Sequence, residues 1–255
     1  MLYKQDKSFF YCGTSNVELP VANKSHFPVE FQDKSRLHYY ATLFNTVEIN
    51  RSFYKIPMKR TVEKWAADVP PDFKFSFKLW KGITHAPQLR YDLADLHKYI
   101  DAISGAGTKI GCLLLQFPAG IKSSCFQKLK TLLHQIKVLT KSLECRVAVE
   151  FRDVSWYNGT VYELINSFGA TVVIHDMPKS VTPPLPVLAD LVYIRFHGEK
   201  GDYKGSYADD VLAEQCKIIK AYIKRGTTVF AYFNNTIGSA VDNALMLKKM
   251  YFNRH

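Results

Sequence analysis

The sequence contains no C-x-x-C pair, no long apolar run and no glycine-rich dinucleotide fingerprint, and it is short of acidic residues. Its five cysteines, Cys12, Cys112, Cys125, Cys145 and Cys216, are odd in number and scattered. That pattern argues against a disulfide framework or a zinc site and fits reduced thiols in a cytoplasmic protein. No stretch approaches the roughly 18 apolar residues of a membrane-spanning helix, so no membrane partner is expected. Near the start, Lys4, Asp6 and Lys7 fall where the apolar region of a secretion signal would begin, and no signal peptide is expected. The acid deficit is 23 Asp and Glu against 34 Lys and Arg, a net charge of +11. Such an excess favours anionic substrates or polyanions through a long-range field. Part of it is an ordinary solvated surface: Lys122, Lys128, Lys130, Lys137 and Lys141 straddle one amphipathic segment, and Lys248 and Lys249 end another. No nucleic-acid-binding signature accompanies the charge.

What is present is 47% hydrophobic and 22% charged residues over 255 positions, enough for a large core. Eight short β-branched or aromatic runs recur: 9–15, 45–50, 73–80, 111–117, 146–151, 171–176, 191–197 and 228–234. Amphipathic helical patterns fall between most of them, as in "KRTVEKWAADV" and "SCFQKLKTLLHQIKVLTKSL", and "IGSAVDNALMLKKM" follows the last. Gly105, Gly107, Gly169 and Gly226 stand where helices should stop. Only "MPKSVTPPLPVLAD", between the sixth and seventh runs, is too proline-rich for a helix and predicts a loop. Alternation of this kind implies parallel strands covered by helices. Eight units in this length fit a single-domain (β/α)8 TIM-like barrel over 1–255 better than a doubly wound sheet. The missing G-x-G-x-x-G after the first strand argues the same way.

Five segments in order, "YYATLFNTVEINRSFYKIP", "GCLLLQFP", "VAVEFRDVSW", "YIRFHG" and "YFNNTIGSAVDNA", resemble the YecE-like family known as domain of unknown function 72. The resemblance spans Gly13 to about Leu247 and implies a TIM-like barrel without supplying an activity. After "GTS" the chain runs "NVELPVANKSHFPVEF", whereas many members continue with a Gly-Trp or aromatic-rich loop.

Active sites of such barrels lie at the C-terminal strand ends, and residues two apart on a strand share a face. Glu48 and Asn50, Ser76 and Lys78, Glu150 and Arg152, and Arg195 and His197 are such pairs. Gln116 ends the fourth run, His175 and Asp176 the sixth, Asn234 and Asn235 the eighth. Adjacent in sequence, His175 and Asp176 face opposite ways, so only one of them is expected in the site. Burying Glu48, Lys78, Glu150, Arg152, Arg195 and His197 around one cavity is costly, and clusters of that kind mark functional sites. Each of these groups also has a structural reading as an ion pair or hydrogen-bonding support, and Phe53, Tyr54 and Trp156 read first as packing.

The resulting expectation is an enzyme with acid–base chemistry, hydrolysis favoured, on a small or extended anionic substrate such as a phosphate ester or sugar phosphate. Glu48, Glu150 and His197 are its candidate catalytic groups. Asn50, Lys78, Gln116, Arg152, Asp176, Arg195, Asn234 and Asn235 are candidate substrate contacts, and the last helix, near Gly238, is a candidate phosphate seat. Three alternatives stand beside it. One is a nucleic-acid-binding or processing-associated protein using the basic surface. Another is a metal-dependent isomerase or nuclease-like barrel with ligands from Glu48, Glu150, His175 or Asp176, and His197, disfavoured because three cations crowd the same place. The third is a Schiff-base role for Lys78, which needs a depressed lysine pKa. No metal ligand is assigned, the cofactor is left unknown, and the oligomeric state is left open.

Overall fold

The computed structural model describes residues 9–184 and 190–253. Within them the expected strands form at the expected places: β1 (Phe10–Thr14), β2 (Thr46–Ile49), β3 (Lys74–Lys78), β4 (Ile110–Phe117) and β5 (Arg146–Phe151). The sixth run is divided into β6 (Thr171–Val172) and β7 (Ile174–His175), followed by β8 (Leu191–Phe196) and β9 (Thr228–Phe233). The longer helices are α1 (Arg36–Leu43), α3 (Lys59–Ala67), α5 (Leu93–Ser104), α6 (Phe126–Leu139), α7 (Gly159–Ser167), α8 (Asp209–Lys224) and α9 (Ala240–Phe252). Two single turns, α2 (Arg51–Tyr54) and α4 (Lys81–Thr84), lie in loops after β2 and β3. They are too short to leave a helical period in the sequence. Residues 177–184 of the proline-rich connection contain no helix, as expected, and 185–189 lie outside the described residues. Among the described residues no helix is long and apolar enough to cross a membrane.

The fold is α/β with every strand pair parallel, in two sheets ordered β1-β9-β8-β7 and β2-β3-β4-β5-β6. Sequence and hydrogen bonding join the sheets at both edges. At one edge Val173 separates β6 from β7, and its N–H donates to Val149 O at 2.9 Å, while β7 has already turned to pair with β8. At the other edge Ser15 bridges to Glu48, and Asn16 N–H donates to Glu48 O at 2.7 Å.

Along that second edge side chains replace the strand ladder. Asn45 accepts from Cys12 N at 3.0 Å and donates to Phe10 O at 2.9 Å. The Tyr40 hydroxyl accepts from Thr14 N at 2.8 Å and donates to Thr46 O at 3.0 Å. Gly13 is required between them, since a Cβ there would stand 2.2 Å from Thr46 O.

Alternation then separates two layers of core. Val47, Ile49, Phe75, Phe77, Leu113, Leu115, Val149 and Phe151 pack with the helices in the larger cluster. Tyr11, Cys112, Leu114, Ala148, Val173, Leu191, Tyr193, Phe230 and Tyr232 form a second cluster between the sheets. Tyr232 ties that inner layer together through Ser76 Oγ at 2.8 Å and Thr46 Oγ1 at 2.6 Å. The polar strand ends sit one or two residues further along the same strands.

Candidate active site

Arg195 is the centre of the site. It belongs to β8, two residues after Tyr193, and so shares the inward face. Its Nη2 donates to Glu48 Oε1 at 2.8 Å and its Nη1 to Glu150 Oε2 at 2.6 Å, with all three side chains buried. Glu48 also accepts from Ser15 Oγ at 2.7 Å, Tyr193 OH at 2.7 Å and Asn50 Nδ2 at 3.2 Å. Burial alone would raise Glu48; the Arg195 charge and these donors hold it below its ordinary value instead. Glu150 is likewise opposed by burial yet held well below its ordinary value by Arg195 and Arg152. For Arg195 burial works downward, and the two carboxylates more than reverse it. The result is a fixed Glu–Arg–Glu bridge whose carboxylates are fully ionised.

Above the bridge lies Arg152, one residue past β5. Its Nε donates to Glu150 Oε1, its Nη2 is 3.0 Å from His197 Nε2, and its side chain is 13% exposed. His197 Nε2 is also 3.2 Å from Arg195 Nη1. Guanidinium groups only donate, so Nε2 must be the acceptor and the ring proton sits on Nδ1. That proton points to Asp176 Oδ1 at 3.3 Å, and the same oxygen accepts from His197 N at 2.8 Å. Asp176 Oδ2 takes the Tyr207 hydroxyl, whose oxygen accepts from Gly198 N at 2.6 Å. Burial lowers His197 below its ordinary value, despite the bond to Asp176. Asp176 itself is pulled below its ordinary value against burial by bonds from His197 and Tyr207. His197 is therefore a neutral acceptor that fixes two arginines, a geometry that opposes acid catalysis from its Nε2.

His175 and Asp176 both border the site, a departure from strict alternation. β7 ends at His175, and the chain turns, so Asp176 reaches His197 while the His175 ring lies 5.7 Å from the His197 ring. His175 Nδ1 accepts from Met177 N at 3.2 Å, and Nε2 contacts Phe151 O and Tyr157 OH, both at 3.1 Å. Burial lowers its pKa to about 4.

Lys78, at the end of β3, differs from the other cations. Among the described residues no hydrogen bond or ion pair reaches its Nζ, which lies 4.2 Å from the centre of the Phe53 ring. Burial first, then the positive charge of Arg195, brings its pKa to about 8, with Glu150 and Glu48 acting the other way. His85 packs on the same Phe53 ring at 4.8 Å and is lowered to about 4 by burial and by Lys78.

The remaining candidates divide. Asn50 turns its amide to Glu48 and leaves a buried Oδ1 without a partner. Gln116, paired in register with Glu150, is buried with no side-chain partner among the described residues. Asn234 is half-buried just beyond β9, where its N–H donates to Phe196 O at 2.7 Å. Asn235 does not join them: it donates to Gly205 O and Asn243 Oδ1, both at 3.0 Å, and serves the 205–207 loop and α9. The phosphate seat near Gly238 is also occupied by protein. A Cβ there would meet Gly205 O at 2.2 Å, and Ser239 N donates to that same oxygen at 3.0 Å.

Ser15, Tyr193, Tyr207, Tyr157 and His85 take part without having been singled out by the sequence pattern. Tyr193 carries a signal, because it precedes Arg195 by two on one strand; Tyr207 comes from a loop and carries none. Among the described residues no group of three or more His, Cys, Asp and Glu side chains is arranged to hold a metal ion. The donors proposed for one, Glu48, Glu150, His175, Asp176 and His197, face guanidinium, backbone or hydroxyl partners instead.

With this geometry in view, the chain compares with known proteins as follows. The family model described as "Protein of unknown function DUF72" matches residues 11–255. The UPF0759 protein YunF of Bacillus subtilis (strain 168) is 26% identical over 257 residues, covering 89% of this chain and 90% of that protein. The UPF0759 protein YecE of Escherichia coli (strain K12) is 34% identical over a shorter 83-residue stretch, 32% of this chain and 30% of that protein. A DUF72 family crystal structure from Enterococcus faecalis V583 superposes with a TM-score of 0.78 at 22% identity, covering 97% of each chain. One from Thermotoga maritima MSB8 gives 0.74 at 26% identity, covering 96% of this chain and 99% of the other. The chain belongs to the DUF72 family.

Proposed function

We propose that the strand-end cluster is the active site of an enzyme that binds a small anionic substrate, such as a phosphate ester or sugar phosphate, through Lys78 and Arg152. One observation carries this reading. The carboxylates of Glu48, Glu150 and Asp176 are all engaged by donors of the protein, while Lys78 Nζ has neither a hydrogen bond nor an ion pair among the described residues. A half-buried cation left this way attracts an anion, because the surrounding protein limits the water that competes for it. Arg152 adds a partly exposed guanidinium already oriented by Glu150 and His197, and Asn50 braces Glu48 beneath them through its Nδ2.

Roles shift accordingly. Glu48, Glu150 and His197 position the arginines; a carboxylate held well below its ordinary pKa is a weak base, and a histidine whose Nε2 faces two guanidiniums has no proton to donate there. Hydrolysis needs a group free to activate water, and these three are not free. Lys78, near pH 8, is matched to exchange a proton close to neutrality. A panel of sugar phosphates, phosphomonoesters and phosphodiesters, run with and without divalent metal, tests the reading. Turnover lost in Lys78→Gln while folding is retained is the expected result; turnover unaffected by Lys78→Gln and Arg152→Gln places the chemistry elsewhere.

A further inference from the structure

Lys78 combines a fixed backbone with a free amine. Its carbonyl oxygen accepts from Ser52 Oγ at 2.8 Å and from Tyr99 OH at 2.7 Å, so the stem of the side chain is anchored by two buried hydroxyls. Its Nζ rests against Phe53, with no acceptor among the described residues to hold the proton. The charged and titratable groups around it come from four elements: Glu48 on β2, Glu150 and Arg152 at the end of β5, Arg195 on β8, and His85 after α4. The carboxylates among them are tied to the arginines and cannot swing over to pair with the amine. An amine placed so, beside cations and against an aromatic face, is placed as a nucleophile is placed.

We propose, building on the anion-binding role above, that Lys78 Nζ condenses with the carbonyl carbon of an aldehyde or ketone that also bears an anionic group, which Arg152 holds. The nitrogen lone pair adds to the carbonyl carbon, and the C=O π pair moves to oxygen, which is protonated. The resulting carbinolamine expels that oxygen as water, and the nitrogen, having given up two protons overall, is left doubly bonded to carbon. One amine and one carbonyl become one imine and one water, with no net oxidation or reduction. The substrate class is thereby narrowed from anions in general to anionic carbonyl compounds.

The lowered basicity makes the step accessible near neutrality. At pH 7 a lysine of ordinary pKa near ~10.4 is neutral in roughly one molecule in 2,500, and one near 8 in roughly one in ten. The test is reductive trapping on the full chain: glyoxylate or propanal with cyanoborohydride at pH 7, followed by peptide mass mapping. Glyoxylate is expected to label Lys78 at least about tenfold faster than the exposed Lys130, with a rate that rises through a midpoint near 8, and inorganic phosphate is expected to protect it. Labelling distributed over exposed lysines with Lys78 among the slowest overturns the proposal. Propanal labelling Lys78 as fast as glyoxylate, with no protection by phosphate, keeps the nucleophile and overturns the anion site. Phosphate binding by calorimetry without any Lys78 adduct keeps the anion site and overturns the nucleophile.

Discussion

At the scale of single residues, the bridge through Arg195 is held by its geometry. Removing one partner of a buried pair leaves an uncompensated charge, so Glu150→Ala is expected to cost about 3–5 kcal/mol, read as a lower urea midpoint at unchanged slope. The exposed pair Lys217–Glu214 supplies the contrast, and Glu214→Gln is expected to move the midpoint hardly at all. Protonation gives a second residue-level expectation. His175 titrates near 4 in the folded chain and near ~6.5 when unfolded, so the unfolded state binds the extra proton between those values. Stability is complete above about 6.5 and falls as pH drops toward about 4, by about 3 kcal/mol for this one group. His197, lowered by burial, adds to the same slope, and Glu150 contributes a further loss only below its unfolded value near ~4.3. A series of denaturation midpoints from pH 7.5 to 4 checks this; His175→Asn should flatten the profile, and an unchanged profile contradicts it. Much of the site is legible at this scale, because Glu48, Glu150, Arg195 and His197 obey period two and converge as that period requires. Asn235 is misplaced because the chain has already left β9 at Phe233, after which strand alternation no longer says where a side chain goes.

At the scale of elements, the edge between β1 and β2 is the place where the contact between the two sheets depends on side chains. Tyr40→Phe removes a hydroxyl that serves both Thr14 N and Thr46 O, and is expected to cost about 1–3 kcal/mol. Hydrogen exchange at the Thr14 amide should quicken along with the loss; slow exchange there would mean that the strands hold without it. Gly13→Ala drives a Cβ onto the Thr46 carbonyl and should be the more damaging of the two. The strands themselves are readable to within a residue or two because parallel strands covered on both faces are nearly continuous apolar runs, as in β4. The break in the sixth run is not readable. Val173 is as good a strand residue as its neighbours, and it is the change of partner from β5 to β8 that interrupts pairing there. α2 and α4 escape detection for a different reason, since four residues cannot show a 3.6-residue period.

At the scale of the whole molecule, the net charge of +11 and the strand-end cluster have separate consequences. The lysines of α6 and its flanks, Lys122, Lys130, Lys137 and Lys141, are exposed, and any affinity they have for polyanions is expected to be general and erased by salt. Retention of random oligonucleotides is therefore expected to fall steeply between 50 and 200 mM salt (roughly, from counterion release) and to be the same in Lys78→Met as in the parent chain. Loss of oligonucleotide binding in that variant alone would place nucleic acid at the strand-end cluster. The central claim is that Lys78 and Arg152 form one built anion site, and calorimetric titration of inorganic phosphate at pH 7 and low ionic strength tests it most directly. The prediction is a single site per chain, weakened at least about tenfold, near 1.4 kcal/mol, by Lys78→Met and by Arg152→Gln with the fold intact. Phosphate affinity unchanged in both folded variants would contradict it.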